Sequence, residues 1–214
     1  MAKSVEFPFG KISGKLGNVV FYERNGKICV RKRPEKIGIA PSPKQLYHRE
    51  AFAKVNSFLK PIRSELEFGF SSKEGDKSKR FAKAVSLGLK RAVFPEEGIP
   101  VLKPEKVMIS IGDLTEPSGL SLNWMADNQL TILWQPNQFE GKATEGDRLL
   151  YLAYDPLGKR KWSILKGATR KSGIQEVEFP WTGPLQGQFY HYFAFHSKGR
   201  KYRDFSNSVC FGIF

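Results

Sequence analysis

Residues 17–36 read GNVVFYERNGKICVRKRPEK, two apolar runs around Asn25-Gly26 followed by an abrupt basic turn. Asn-Gly between alternating runs is the strongest short hairpin signal, because a type I′ turn needs φ > 0 at both central positions. A two-residue loop then fixes the register. Glu23 faces Ile28, Tyr22 faces Cys29, Phe21 faces Val30, Val20 faces Arg31 and Val19 faces Lys32. Successive strand side chains point to opposite faces. One face therefore collects Val19, Phe21, Ile28 and Val30 as a core side. The other collects Val20, Tyr22, Arg24, Lys27, Cys29, Arg31 and Arg33, a basic face with one aromatic.

The pattern changes beyond the hairpin. In PSPKQLYHREAFAKVNSFLKPIRSELEF (41–68), Ser42, Pro43 and Gln45 read as a capping box with proline at the first helical position. Phe52, Val55, Leu59, Ile62 and Leu66 recur at helical spacing, and Pro61 should kink or divide the helix. A second helix is expected from Asp76 as N-cap through Phe94, with Phe81, Val85, Leu89 and Ala92 on one side. FSSKEGDKS (70–78) between them reads as a polar loop. PEEGIP (95–100) and Pro104 read as a linker. The expected division is 1–100, a basic hairpin-plus-helices region, and 101–214, an all-β region. Strands are expected near 106–111, 119–125, 129–135, 148–155, 160–165, 174–179, 188–197 and 207–213. Short strands separated by Gly, Pro and Asp turns point to an antiparallel sandwich.

The charge is as uneven as the pattern. The 214 residues carry a formal net charge of +14, and +11 of it falls in residues 1–100. Such a field favours nucleic acid, acidic protein or anionic lipid as partners. With 40% apolar residues the chain can build a core. Cys29 and Cys210 lie far apart, match no metal or redox spacing, and sit in apolar strand patterns as small hydrophobes. The start, MAKSVEFPFGK, lacks the apolar region of a secretory signal. No run of about 18 apolar residues exists to span a membrane. The expected location is the cytoplasm.

No catalytic constellation stands out. His191 and His196 are five apart on one expected strand, so they point to opposite faces and read as buried core residues. His48, beside Arg49, reads as solvent-facing. GKISGKLG lacks the P-loop spacing, and no G-x-S-x-G, H-E-x-x-H or EF-hand pattern occurs. Glu65 with Glu67, and Glu96-Glu97, read as helix-surface and linker charges. The expectation is a non-enzyme with no cofactor and no metal.

The basic N-terminal set is the one constellation with a functional reading. Its anion-binding candidates are Tyr22, Arg24, Lys27, Arg31, Arg33 and Arg49, with Lys32, Lys36 and Lys44 near them in sequence. Phosphate recognition needs cations spread along a surface, ideally with an aromatic for stacking. A solvated face that protects a sheet edge from aggregation explains the same residues more simply. Internal ion pairing of Arg31 or Arg49 is the third reading.

QLTILWQPNQ (129–138) and YHYFAFHSKGRKYRDFSNSVCF (190–211) resemble the second strand and final hairpin of fibronectin type III domains. Across nearly the whole chain, GKISGKLGNVVFYERNGKICVRKRP, PSPKQLYHREAF, FLKPI, VMISIGDL and SNSVCFGIF resemble an uncharacterised bacterial family, chiefly from Bacteroidetes, that carries a domain of unknown function. The N-terminal pattern also looks like segments of some phage-associated proteins. The resemblance implies an α+β N-terminal region, a hairpin with two or three helices, followed by an immunoglobulin/fibronectin III-like sandwich. It transfers no functional residue. The expected function is non-catalytic binding or assembly with a protein partner, in a phage or mobile-element setting. The alternative is nucleic-acid or other polyanion binding through the basic hairpin face. Ligand identity and oligomeric state do not follow from the sequence.

Overall fold

The computed structural model describes residues 13–24, 26–35, 40–71, 77–199 and 203–214. Two compact units divide the chain, 1–41 and 42–214.

In the first unit, β1 (Gly14–Leu16), β2 (Val19–Arg24) and β3 (Lys27–Lys32) form an antiparallel sheet in that order. The β2–β3 register is the one the two-residue loop dictates, from Val19↔Lys32 through Glu23↔Ile28, with Arg24↔Lys27 closing it. Gly26 adopts φ +73°, and Asn25 lies outside the described residues. Strand β1 was not expected. Gly17 (φ +56°) and Asn18 make a second two-residue turn, which pairs Leu16 with Val19. The described side chains of this sheet are half-buried or exposed, including Val19, Phe21, Ile28 and Val30 of the expected core side.

The second unit opens with α1 (Pro43–Leu59). Both arms of its capping box are present, Gln45 N–H donating to Ser42 Oγ at 3.3 Å and Ser42 N–H to Gln45 Oε1 at 3.0 Å. Pro61 divides the helix, as its missing N–H requires, into α1, a 3₁₀ turn at Lys60–Ile62 and α2 (Arg63–Gly69). Helix α3 (Lys77–Arg91) ends three residues before the expected Phe94, and its expected N-cap, Asp76, lies outside the described residues. The chain leaves α3 because PEEGIP is not a linker. It is the tip of a hairpin, β4 (Val93–Glu96) against β5 (Ile99–Leu102), turned by Glu97 (φ 49°) and Gly98 (φ 81°).

Seven strands follow in two antiparallel sheets. The first has the order β10 (Ile174–Glu178), β7 (Gln129–Leu133), β6 (Ser121–Ala126). The second runs β12 (Val209–Ile213), β11 (Tyr190–His196), β8 (Arg148–Asp155), β9 (Arg160–Ile164). The strand expected at 106–111 does not form. Ile109 N–H donates to Ser208 Oγ at 2.8 Å and Ser110 Oγ donates to the Ser206 carbonyl at 2.9 Å, so hydroxyls take the place of a regular ladder.

The four-stranded sheet is buried on both faces, which is why β8 reads as a continuous apolar run rather than an alternation. Leu149, Tyr151, Ala153, Phe193 and Phe195 pack toward the three-stranded sheet, against Ile132, Trp134 and Val177. Leu150, Leu152, Tyr154, Tyr192 and Ala194 pack with the helices, against Val55, Leu59, Ile62 and Leu66. A mixed α/β N-terminal region is thus followed by a multi-stranded antiparallel β-sheet domain, and helices of residues 43–91 share a core with it. The layers are tight: a Cβ on Gly69 would stand 2.1 Å from the Ile109 carbonyl oxygen.

Candidate functional site

The strand pairing sorts the N-terminal cations by face. Cross-strand partners share a face, so Lys15 (opposite Val20) joins Tyr22, Arg24, Lys27 and Arg31 on the basic side. Arg31 lies one diagonal from Tyr22, and its guanidinium stands 5.8 Å from the ring centroid. That is cation–π range, worth about 0.5–1 kcal/mol at an exposed site. Arg33 lies past the end of β3, where its N–H donates to the Asn18 carbonyl at 2.7 Å and its side chain is exposed. Lys32, on the opposite face, pairs with Glu35 at 3.2 Å. Among the described residues, Lys15, Arg24, Lys27, Arg31 and Arg33 have no ion-pair partner. Lys36 lies outside the described residues. Arg49 stands on α1, in the second unit, where its side chain is exposed.

The histidines behave as core residues. His191 and His196 are both buried, and the alternation of β11 sends them to opposite faces. Tyr151 OH lies 2.8 Å from His191 Nδ1, and His191 Nε2 lies 3.4 Å from the Phe214 carbonyl. The pattern suits a neutral ring with its proton on Nε2. Burial pulls this imidazole down to about 4, the Phe214 carbonyl opposing it. His196 places each ring nitrogen 2.9 Å from a carbonyl oxygen, of Ser197 and Leu165, and burial again lowers its pKa. Cys29 and Cys210 are free, and burial pushes the Cys210 thiol up to about 11, away from nucleophilic use.

Two polar clusters were not legible in the sequence. Glu65, expected on a helix surface beside Glu67, is 5% exposed. Its carboxylate accepts from Lys161 Nζ at 2.9 and 3.0 Å, Ser64 Oγ at 2.8 Å and Ser163 Oγ at 3.1 Å. Glu67 is the surface member, accepting from Arg63 Nε at 2.6 Å. The second cluster is centred on Arg170, fully buried in the short 3₁₀ turn Arg170–Ser172. Its guanidinium donates to Asp147 Oδ2 at 3.2 Å, to the Thr115 carbonyl at 2.9 Å and to Asn137 Oδ1, and lies 3.9 Å from the Phe195 ring centroid. Asp147 also accepts from Thr144 N–H at 2.9 Å and Thr144 Oγ1 at 2.7 Å. Trp134 Nε1 donates to the Arg170 carbonyl at 2.9 Å. The cluster ties the Arg170–Ser172 turn to the segments carrying Thr115, Asn137 and Asp147 and to Trp134 on the chain just after β7.

Among the described residues no group of three or more His, Cys, Asp and Glu is arranged to hold a metal ion, and no helix is long and apolar enough to cross a membrane. The class is therefore a basic three-stranded sheet and a helical segment preceding an antiparallel β-sheet domain. A family model described as "Family of unknown function (DUF6266)" matches residues 11–212, and the chain belongs to that family. No curated protein matches the chain.

Proposed function

We propose that this is a non-catalytic binding or assembly protein that presents the basic face of its N-terminal sheet to an anionic partner. The observation that carries the reading is the set of Lys15, Arg24, Lys27 and Arg31 around Tyr22 on one sheet face, without ion-pair partners among the described residues. Exposed, unpaired cations beside an aromatic suit a polyanion better than a neutral surface. The β-sheet domain is read as a fibronectin III-like module for protein contact. Support comes from its three-plus-four split and from the strand orders β10-β7-β6 and β12-β11-β8-β9. A cytoplasmic location, a Bacteroidetes origin and a phage or mobile-element setting complete the proposal on the strength of the sequence resemblance.

The specific form of this reading is nucleic-acid binding, which the Arg31–Tyr22 stack favours as a base-stacking and phosphate-contacting pair. Titration of labelled single- and double-stranded DNA and RNA across salt concentrations tests it. The affinity should fall steeply with salt, and the slope should become shallower in an Arg24→Ala, Arg31→Ala double variant. Absence of binding at low salt ends the nucleic-acid form.

A further inference from the structure

The second unit carries a recess unrelated to the basic sheet. It opens between α1 and α3, has a volume of about 530 Å³, and is walled by Tyr47, Phe52, Leu89 and Val93. Its rim carries His48 and Arg49 from α1 and Lys90 from α3. Phe52 is the informative residue. It stands on the same helical stripe as Val55 and Leu59, which are each 1% exposed, yet it is itself 53% exposed. An aromatic at a core-spaced position is thus left facing the recess.

The rim adds a charge argument. Among the described residues Arg49 and Lys90 have no ion-pair partner, and Glu50, the carboxylate next to Arg49, is engaged by Lys54 at 2.8 Å. We infer that the α1–α3 groove docks a short segment of a partner protein in which a bulky apolar anchor is flanked by Asp or Glu. The anchor fills the apolar floor beside Phe52, and the carboxylates meet Arg49 and Lys90. The volume is in the range of about 300–1,000 Å³ typical of ligand recesses, and an apolar groove between helices suits an amphipathic segment. The rim charges steer the encounter while anchor burial supplies most of the affinity. A second copy of this chain is the wrong occupant, because a net charge of +14 opposes bringing a cationic rim against itself. A nucleic acid is also wrong here, since its phosphates gain nothing from an apolar floor.

This inference rests on the reading of the chain as a binding protein and names one partner class for a different surface. It is tested by selecting 12-residue peptides from a random display library on the immobilised full chain. The enriched peptides are then labelled with fluorescein and titrated by anisotropy. The expected peptides combine Asp or Glu with Trp, Phe or Leu. Their Kd should weaken at least tenfold in Phe52→Ala and, separately, in Arg49→Glu/Lys90→Glu. All three side chains are exposed, so the variants should melt with the parent. The inference is overturned if no acidic–apolar pattern is enriched, or if the peptides bind both variants unchanged. It is also overturned if sedimentation shows a dimer that Phe52→Ala dissociates. Peptides that bind elsewhere would remove the groove and leave the binding-protein reading standing, whereas the salt titration tests the basic sheet alone.

Discussion

Lys161 on edge strand β9 places its Nζ 2.9 and 3.0 Å from the two carboxylate oxygens of Glu65 on α2. The contact joins the helical layer to the four-stranded sheet across 96 residues of sequence. The Glu65 side chain is 6% exposed and that of Lys161 33%, so solvent screens one partner. Removing Glu65 strands a half-buried ammonium and two hydroxyls, and Glu65→Ala should cost about 1–3 kcal/mol, below the range for a fully buried pair. A double-mutant cycle with Lys161→Met, read by urea unfolding, checks it. Additive single effects would show that the two side chains do not couple.

Arg170 and Asp147 form the fully buried counterpart, each 0% exposed. Burial lowers the guanidinium pKa, and the Asp147 carboxylate opposes that. Arg170→Met leaves Asp147 uncompensated inside the protein and should cost about 3–5 kcal/mol. Trp134, whose indole donates to the Arg170 carbonyl, reports locally. Its fluorescence should shift in the folded variant as the 3₁₀ turn relaxes. A variant that unfolds at the parental urea midpoint would show the clamp to be energetically idle.

Acid should destabilise the fold in two windows. His191 titrates at about 4 when folded against an ordinary 6.5, so between these values the unfolded chain binds the additional proton. Its contribution is intact above 6.5, declines as pH falls toward 4, and totals about 3 kcal/mol. Burial lowers the His196 pKa as well and adds loss of the same sign. For Glu65, burial raises the pKa, but hydrogen bonds from Lys161, its own backbone and Ser64, with the Lys161 charge, bring it below the ordinary 4.5. Its contribution therefore holds above the ordinary value and is lost only as pH falls through the lowered one. Urea unfolding of the parent and His191→Gln at pH 7, 6 and 5 measures the first window. Parallel pH profiles for the two proteins would refute the assignment to His191.

Glycine at position 69 is a packing requirement. A Cβ there would meet the Ile109 carbonyl oxygen at 2.1 Å and its carbon at 3.0 Å, backbone atoms that cannot swing aside. Gly69→Ala should destabilise by about 1–3 kcal/mol, the ordinary cost of overpacking. Gly146→Ala is the matched control, because its Cβ meets nothing within 4 Å. Equal thermal midpoints for the two variants would contradict the close approach.

What was legible in the sequence was local chemistry. Asn25-Gly26 dictated the β2–β3 register, Ser42 and Gln45 the start of α1, and Pro61 its division. Two further turns had the same kind of signal and were obscured by their neighbours. Gly17-Asn18 sat in a glycine-rich stretch, and the Glu97-Gly98 turn sat between Pro95 and Pro100. Long-range pairing left no local mark. Glu65 looks like a surface carboxylate until Lys161 and Ser163 are brought beside it, and Arg170 looks like one more surface cation. The register places Tyr22, Arg24, Lys27 and Arg31 on one sheet face, and Lys15 joins them only through β1, which the sequence reading lacks. Phe52 went the other way, placed in the core by spacing and found at the groove.

Strands β8 and β11 serve as the common wall of two cores, and this governs how the chain comes apart. Neighbouring residues of β8, such as Leu150 and Tyr151, answer to different layers through one backbone, so loosening either layer loosens the other. A fragment beginning at residue 101 would bare Leu150, Leu152, Tyr154, Tyr192 and Ala194 together, a sticky apolar sheet face. Such a fragment should clump rather than behave as a portable module, and the helices before it act as its permanent chaperone.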